Sequence, residues 1–222
     1  MKLKSFVPVV VSALLCCGAM TLVDGVIMPG YLIKSLLKIT LFLLVPFLCS
    51  VLFGDVEFRS LFRWNKKGIV VALLLGVLLY GVILGAYFAV SPFFDFSGIA
   101  DSLTQTAGVT RDNFLWVSLY ISFVNSLLEE FFFRGFVFTN LKKSSNRLFA
   151  YGISSLLFSL YHTAMMLGWF SLPLFLLVLA GLFAGGVIFN YLNERYDSLV
   201  VSWGVHMFAN FSINTIGFML LS

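Results

Sequence analysis

The feature that most constrains this chain is the recurrence, along almost its whole length, of apolar stretches near the roughly 20 residues that cross the hydrocarbon core of a bilayer. They fall near residues 5–23, 31–53, 68–90, 113–141, 147–168, 170–192 and 198–221. The fold expected is all-α, a polytopic transmembrane bundle of about seven spans, with six or eight as alternatives. Composition agrees: 60% of the 222 residues are hydrophobic and only 11% charged. A soluble domain carries about 25% charged residues, so this chain has too few to cover a water-facing surface. The connections are short, which leaves room for one membrane domain over residues 1–222. Within it, residues 1–112 hold the N-terminal spans and an outer loop, and 113–215 hold the residues that carry chemistry.

Charge tests this division. With the N-terminus inside, the inner side receives Lys2, Lys4, Arg59, Arg63, Lys66, Lys67, Lys142, Lys143, Arg147 and Arg195. The outer side receives Arg111 with Asp24, Asp95, Asp101 and Asp112. Basic connections thus alternate with acidic or neutral ones, as positive-inside bias requires. The expected placement is multi-pass in a cell membrane, with the N-terminus cytoplasmic, the C-terminus outside and the first span uncleaved. Basic residues grouped this way orient a membrane protein, so the net charge of +4 does not call for a nucleic-acid partner. Lys34 and Lys38 fit less well, lying one turn apart within the second stretch. They are expected either to snorkel to the headgroups or to mark a later start of that span. Residues 91–112 read as an outer loop with a short interfacial helix. Gly81 with Gly85 and Gly181 with Gly185 stand at helix-packing intervals. Cys16, Cys17 and Cys49 lie in apolar stretches and read as packing residues.

An ionisable group in the bilayer interior costs at least about 2.5–3.5 kcal/mol on insertion scales, so it usually has a partner and a role. The fourth stretch contains Leu127-Leu128-Glu129-Glu130-Phe131-Phe132-Phe133-Arg134. Glu130 and Arg134 are one turn apart in the order that favours an ion pair, which leaves Glu129 about 100° round the helix for another task. The chain has two histidines, and both fall inside apolar stretches. His162 closes Phe158-Ser159-Leu160-Tyr161-His162, while His206 and Asn210 share one helix face. Counted from the cytoplasmic ends at about 1.5 Å per residue, Glu129 lies roughly 18 Å deep, His162 roughly 22 Å, His206 roughly 12 Å and Asn210 roughly 18 Å. Three helices thereby place polar groups in one slab of the membrane. The bland reading of each is interhelical hydrogen bonding, and for Glu130 with Arg134 it weighs as much as the functional one.

A carboxylate and an imidazole sharing a water can act as a general base. A second imidazole and a carboxamide can donate to a developing oxyanion. Hydrolysis of a peptide bond needs both functions. No serine elbow, Gly-rich phosphate loop or His-Glu-x-x-His helix is present. The residue types Glu129, His162 and His206 also suit zinc, so a metal-dependent version stays open beside the metal-free one.

Glu129-Glu130-x-x-x-Arg134, Phe158-x-x-x-His162 and His206-x-x-x-Asn210, in this order on separate hydrophobic helices, resemble the three motifs of the CAAX protease and bacteriocin-processing (CPBP) family, also called Abi. The resemblance covers about residues 113–215. It implies an all-helical intramembrane peptidase of the glutamate type that needs no cofactor. In it Glu129 with His162 would activate water, His206 and Asn210 would form the oxyanion hole, and Glu130 and Arg134 would support the site. The implied partners are membrane lipids and a membrane-associated peptide or protein substrate, with bacteriocin or pheromone maturation among the bacterial roles. A reading from a different class stands beside it: a non-enzymatic self-immunity or scaffold protein that binds a peptide in the same pocket.

Overall fold

The computed structural model describes residues 6–53, 62–106 and 108–221. Among these every regular element is a helix. In chain order they are α1 (Phe6–Ile27), α2 (Tyr31–Phe53), α3 (Lys66–Val90), the short α4 over 97–106, the long α5 over 111–144, α6 (Arg147–Tyr161), α7 (Leu172–Tyr196) and α8 (Leu199–Leu220). Lys2, Lys4 and Arg59, counted above on the inner side, lie outside the described residues. Four helices, α1, α2, α3 and α7, are long and apolar enough to cross a membrane, and the molecule is a membrane protein. The other long helices are those that carry the motif residues. α5 and α8 hold Glu, Arg, His and Asn within their apolar runs, and α6, at 15 residues, is about 22 Å long.

Local chemistry sets the ends. Asn65 caps α3 by accepting from the Gly68 amide at 2.9 Å, and Asn146 caps α6 by accepting from Phe149 at 2.7 Å. These side chains satisfy amides that a helix start leaves unpaired. At α4, Asp95 accepts from the Ser97 amide (2.8 Å) and hydroxyl (2.9 Å). Those bonds, the amide's first, hold the Asp95 carboxyl below the ordinary carboxylate range. α7 ends at Asp197, whose φ of 47° turns the chain directly into α8.

The connections gather at two opposite ends. At one, Arg63 pairs with Asp197 (2.5 Å), while Lys142 (3.3 Å) and Arg147 (2.8 Å) pair with Glu194. Phe6, at the start of α1, lies against Phe149 there. At the other end, Gly98 of α4 sits against the carbonyls of Gly168 and Trp169, and Gly25 against Ala164. The long helices therefore run back and forth between these ends. Arg63, Lys142 and Arg147, expected inside, share the first end; the 91–112 connection, with its short helix as expected, lies at the second.

Two expectations need correction. The stretch 147–168 is not one helix: α6 stops at Tyr161, and 162–169 is a series of turns with bonds such as Thr163 N to Leu160 O (3.0 Å) and Trp169 N to Met166 O (3.1 Å). Ala164 and Met166 are buried in these turns, so their hydrophobicity continued the apolar pattern where the helix had ended. The glycine pairs also differ. A Cβ at Gly81, Gly85 or Gly181 would meet nothing within 4 Å, and one at Gly185 only a ring of its own helix. The close approaches lie elsewhere: a Cβ at Gly68 would meet Val201 at 2.6 Å, at Gly76 the Phe208 ring at 2.4 Å, and at Gly186 the backbone of Ser155 at 3.0 Å. Glycines at these positions bring α3 onto α8 and α7 onto α6. The three cysteines are free and buried, as packing residues would be.

Candidate active site

The centre of the bundle is aromatic. Phe42, Phe132, Phe133, Phe136 and Phe158 are almost fully enclosed, with Phe42 stacked on Phe132 at 4.1 Å. Around this core the helices widen. α2 makes an i→i+5 turn over Thr40–Leu44, directly before Pro46, which has no amide proton to give the preceding turn. α5 does the same over Tyr120–Asn125 and Glu130–Phe138. Such turns break strict α-helical register and recur at functional sites. Every residue of Glu130–Phe138 except Phe131 is buried, so this part of α5 is central and its charges, Glu130 and Arg134, are enclosed on all sides.

Glu129 is the hub. Its Oε1 accepts from Lys38 Nζ at 2.5 Å and from Asn125 Nδ2 at 3.0 Å. Lys38 donates to Asn125 Oδ1 as well, closing a three-membered set. The other oxygen, Oε2, faces His162 Nε2 at 3.8 Å and His206 Nε2 at 3.5 Å. Those separations are long for direct hydrogen bonds and short enough for one bound molecule to reach several of the groups. Both rings are oriented from behind. His162 Nδ1 donates to the Phe158 carbonyl at 2.7 Å, and His206 Nδ1 donates to Glu130 Oε1 at 2.9 Å. Each thereby presents Nε2 to Glu129. His206 also stacks on Phe189, with centroids 4.9 Å apart.

Glu130 and Arg134 form the expected i,i+4 pair, at 3.3 Å, with no side-chain surface exposed. The guanidinium lies over the rings of Phe158 (4.2 Å) and Phe189 (5.0 Å). It is held by cation–π contact on the same rings that flank the histidines. Glu130 thus has two partners, Arg134 and His206, and couples α5 to α8. Asn210, one turn beyond His206, points the same way and donates to the Ile121 carbonyl of α5 at 3.2 Å. One of its two amide protons is used there and the second remains.

The structure therefore gathers Glu129, His162 and His206 round one carboxylate oxygen and places Glu130 and Arg134 behind them, while Asn210 stands one turn along α8 from His206 and bonds to α5 at Ile121. It also corrects the reading of α2. That helix begins at Tyr31, and Lys38 does not snorkel: it is 4% exposed and paired to Glu129. Lys34 pairs with Asp24 at 2.7 Å. The signal was available, because a lysine mid-span needs a partner. Nothing in one sequence names that partner 91 residues away. Asn125, an ordinary polar residue in an apolar run, carried no such signal.

Among the described residues no group of three His, Cys, Asp or Glu side chains is arranged to hold a metal ion. The Lys38 ammonium lies against Glu129 Oε1, and a cation bound to that oxygen would have to displace it. No curated protein and no solved structure matches the chain. Residues 111–212, from the start of α5 into α8, match the family model described as type II CAAX prenyl endopeptidase Rce1-like. Over this segment, a little under half of its length, the chain is similar to the CAAX-type membrane proteases of the CPBP family.

Proposed function

We propose that the protein is an intramembrane endopeptidase that hydrolyses a peptide bond in a membrane-associated peptide or protein, with Glu129 and His162 activating water and His206 and Asn210 receiving the oxyanion. The observation that carries this reading is the division of the Glu129 carboxylate: one oxygen is tied to Lys38 and Asn125, the other faces two imidazole nitrogens at 3.5 and 3.8 Å. A water held by Oε2 and His162 Nε2 gives its proton to Glu129 as its oxygen adds to the substrate carbonyl carbon. The carbonyl oxygen takes up the negative charge. The free amide proton of Asn210 serves it, and so does His206 Nε2 when it carries a proton. Collapse of the tetrahedral adduct breaks the C–N bond, and the proton taken by Glu129 goes to the leaving amine. Glu130 and Arg134 hold His206 and the flanking rings in place.

No step here uses a metal: the positive charge beside Glu129 is supplied by the Lys38 ammonium. Among the described residues, the seven long helices running between two ends, with basic residues gathered at one of them, support seven crossings of a cell membrane with the N-terminus in the cytoplasm.

The test is cleavage of candidate membrane peptides by the purified, reconstituted protein. Wild type should cleave, and Glu129→Ala and His162→Ala should stay folded and lose activity. If wild type cleaves no candidate peptide while Glu129→Ala retains full biological activity, the peptidase reading fails and the binding-protein reading takes its place.

A further inference from the structure

Among the described residues, Lys38 is the one charged group paired with Glu129 that comes from outside the matched segment, 111–212. Its ammonium is enclosed by Glu129, Asn125 and the rings of Tyr161 (4.9 Å) and Phe42 (5.5 Å). One turn earlier, the Lys34–Asp24 pair ties α2 to the end of α1.

Among the described residues, the charged or titratable groups around Glu129 are Lys38 and Tyr31 from α2, Tyr161 and His162 from the end of α6, His206 from α8, and Tyr120, Glu130 and Arg134 on α5. Of these, Lys38 alone makes hydrogen-bond contact with the carboxylate. Without it, Asn125 offers a single hydrogen bond to Oε1, and a carboxylate so held is free to rotate and close on either imidazole. With it, Oε1 is fixed from two sides and Oε2 stands 3.5 and 3.8 Å from the two rings.

We infer that Lys38 is a positioning residue of the active site: its ammonium clamps one oxygen of Glu129 so that the other stays turned toward His162 and His206. The N-terminal helices are then part of the catalytic apparatus, even though the family segment begins at α5. The inference rests on the peptidase reading above, because it assigns Lys38 its role through Glu129.

The experiment measures kcat and KM for the full-length reconstituted protein with a peptide that wild type cleaves, alongside thermal unfolding. Lys38→Met keeps the length of the side chain and removes the charge; Lys38→Arg keeps the charge. Lys38→Met should lower kcat about 100-fold, the scale of loss from a misplaced reacting group, with KM within about threefold of wild type. Lys38→Arg should recover at least about tenfold of that loss, because the clamp depends on charge. The melting temperature of Lys38→Met should fall, and adding Glu129→Leu should bring it back by removing the orphaned carboxylate. Should Lys38→Met not fold, Lys38→Gln replaces it with the same expected loss of kcat.

Wild-type kcat in the uncharged variant, a loss carried wholly by KM, or equal losses in the Met and Arg variants overturns the inference while leaving the peptidase reading intact. A wild-type protein that cleaves nothing overturns the peptidase reading first, and this one with it.

Discussion

At the scale of single residues, the site is a set of enclosed charges, each with a named partner, and the consequences of removing one differ by partner. Arg134→Met leaves Glu130 with His206 alone in a fully enclosed position, and should cost roughly 3–5 kcal/mol of stability, measured by thermal unfolding in detergent. Glu129→Ala should lower kcat by about 10²–10⁴, the contribution expected of a positioned general base, in the cleavage assay described above. Asn210→Ala should lower kcat by about 10²–10³ if its free amide proton serves the oxyanion. Loss of its bond to Ile121 should remove only about 1 kcal/mol of stability. A variant with reduced stability and unchanged kcat would assign Asn210 to the α5–α8 seam alone.

At the scale of elements, widened turns and bare glycine faces do what side-chain chemistry cannot. The i→i+5 turns of α2 and α5 flank Lys38, Asn125 and Glu129, while α6 stops at Tyr161 and leaves His162 at its end. The approach of α3 to α8 depends on positions without a Cβ. Gly76→Val would drive a methyl into Phe208 and should destabilise by about 1–3 kcal/mol, whereas Gly81→Ala, with nothing within 4 Å, should stay within about 0.5 kcal/mol of wild type. Unfolding of the two variants side by side checks this. Equal effects would mean that α3 does not rest on α8 through Gly76.

At the scale of the whole molecule, two properties of the proposed enzyme are open to direct measurement. Chelation of the purified protein should leave cleavage unchanged, since every group the proposed mechanism uses is a side chain of the protein and the positive charge beside Glu129 is the Lys38 ammonium. Loss of activity that zinc restores would reinstate the metal-dependent version. Accessibility reporters placed at the 145–146 turn and in the 91–96 connection should label on opposite sides of the membrane, because those connections lie at opposite ends of the bundle. Labelling on the same side would break the alternation of spans.

Read alone, the sequence determined that lipid is the solvent, that the fold is helical, and that three motif-bearing segments carry groups too costly to bury without partners. These follow from local properties: hydrophobic length, charge placement and the spacing of Glu129, Glu130, Arg134, His162, His206 and Asn210. It placed the second helix at its observed start and then read Lys38 as bound for the headgroups. What only the tertiary structure decided is which helix faces which. The pairing of Lys38 with Glu129, the end of α6 before an apolar turn, and the glycines that carry the close contacts all depend on neighbours distant in sequence. Hydrophobicity in a membrane is the same for a lipid-facing and a protein-facing residue, so the apolar pattern held no information about those neighbours.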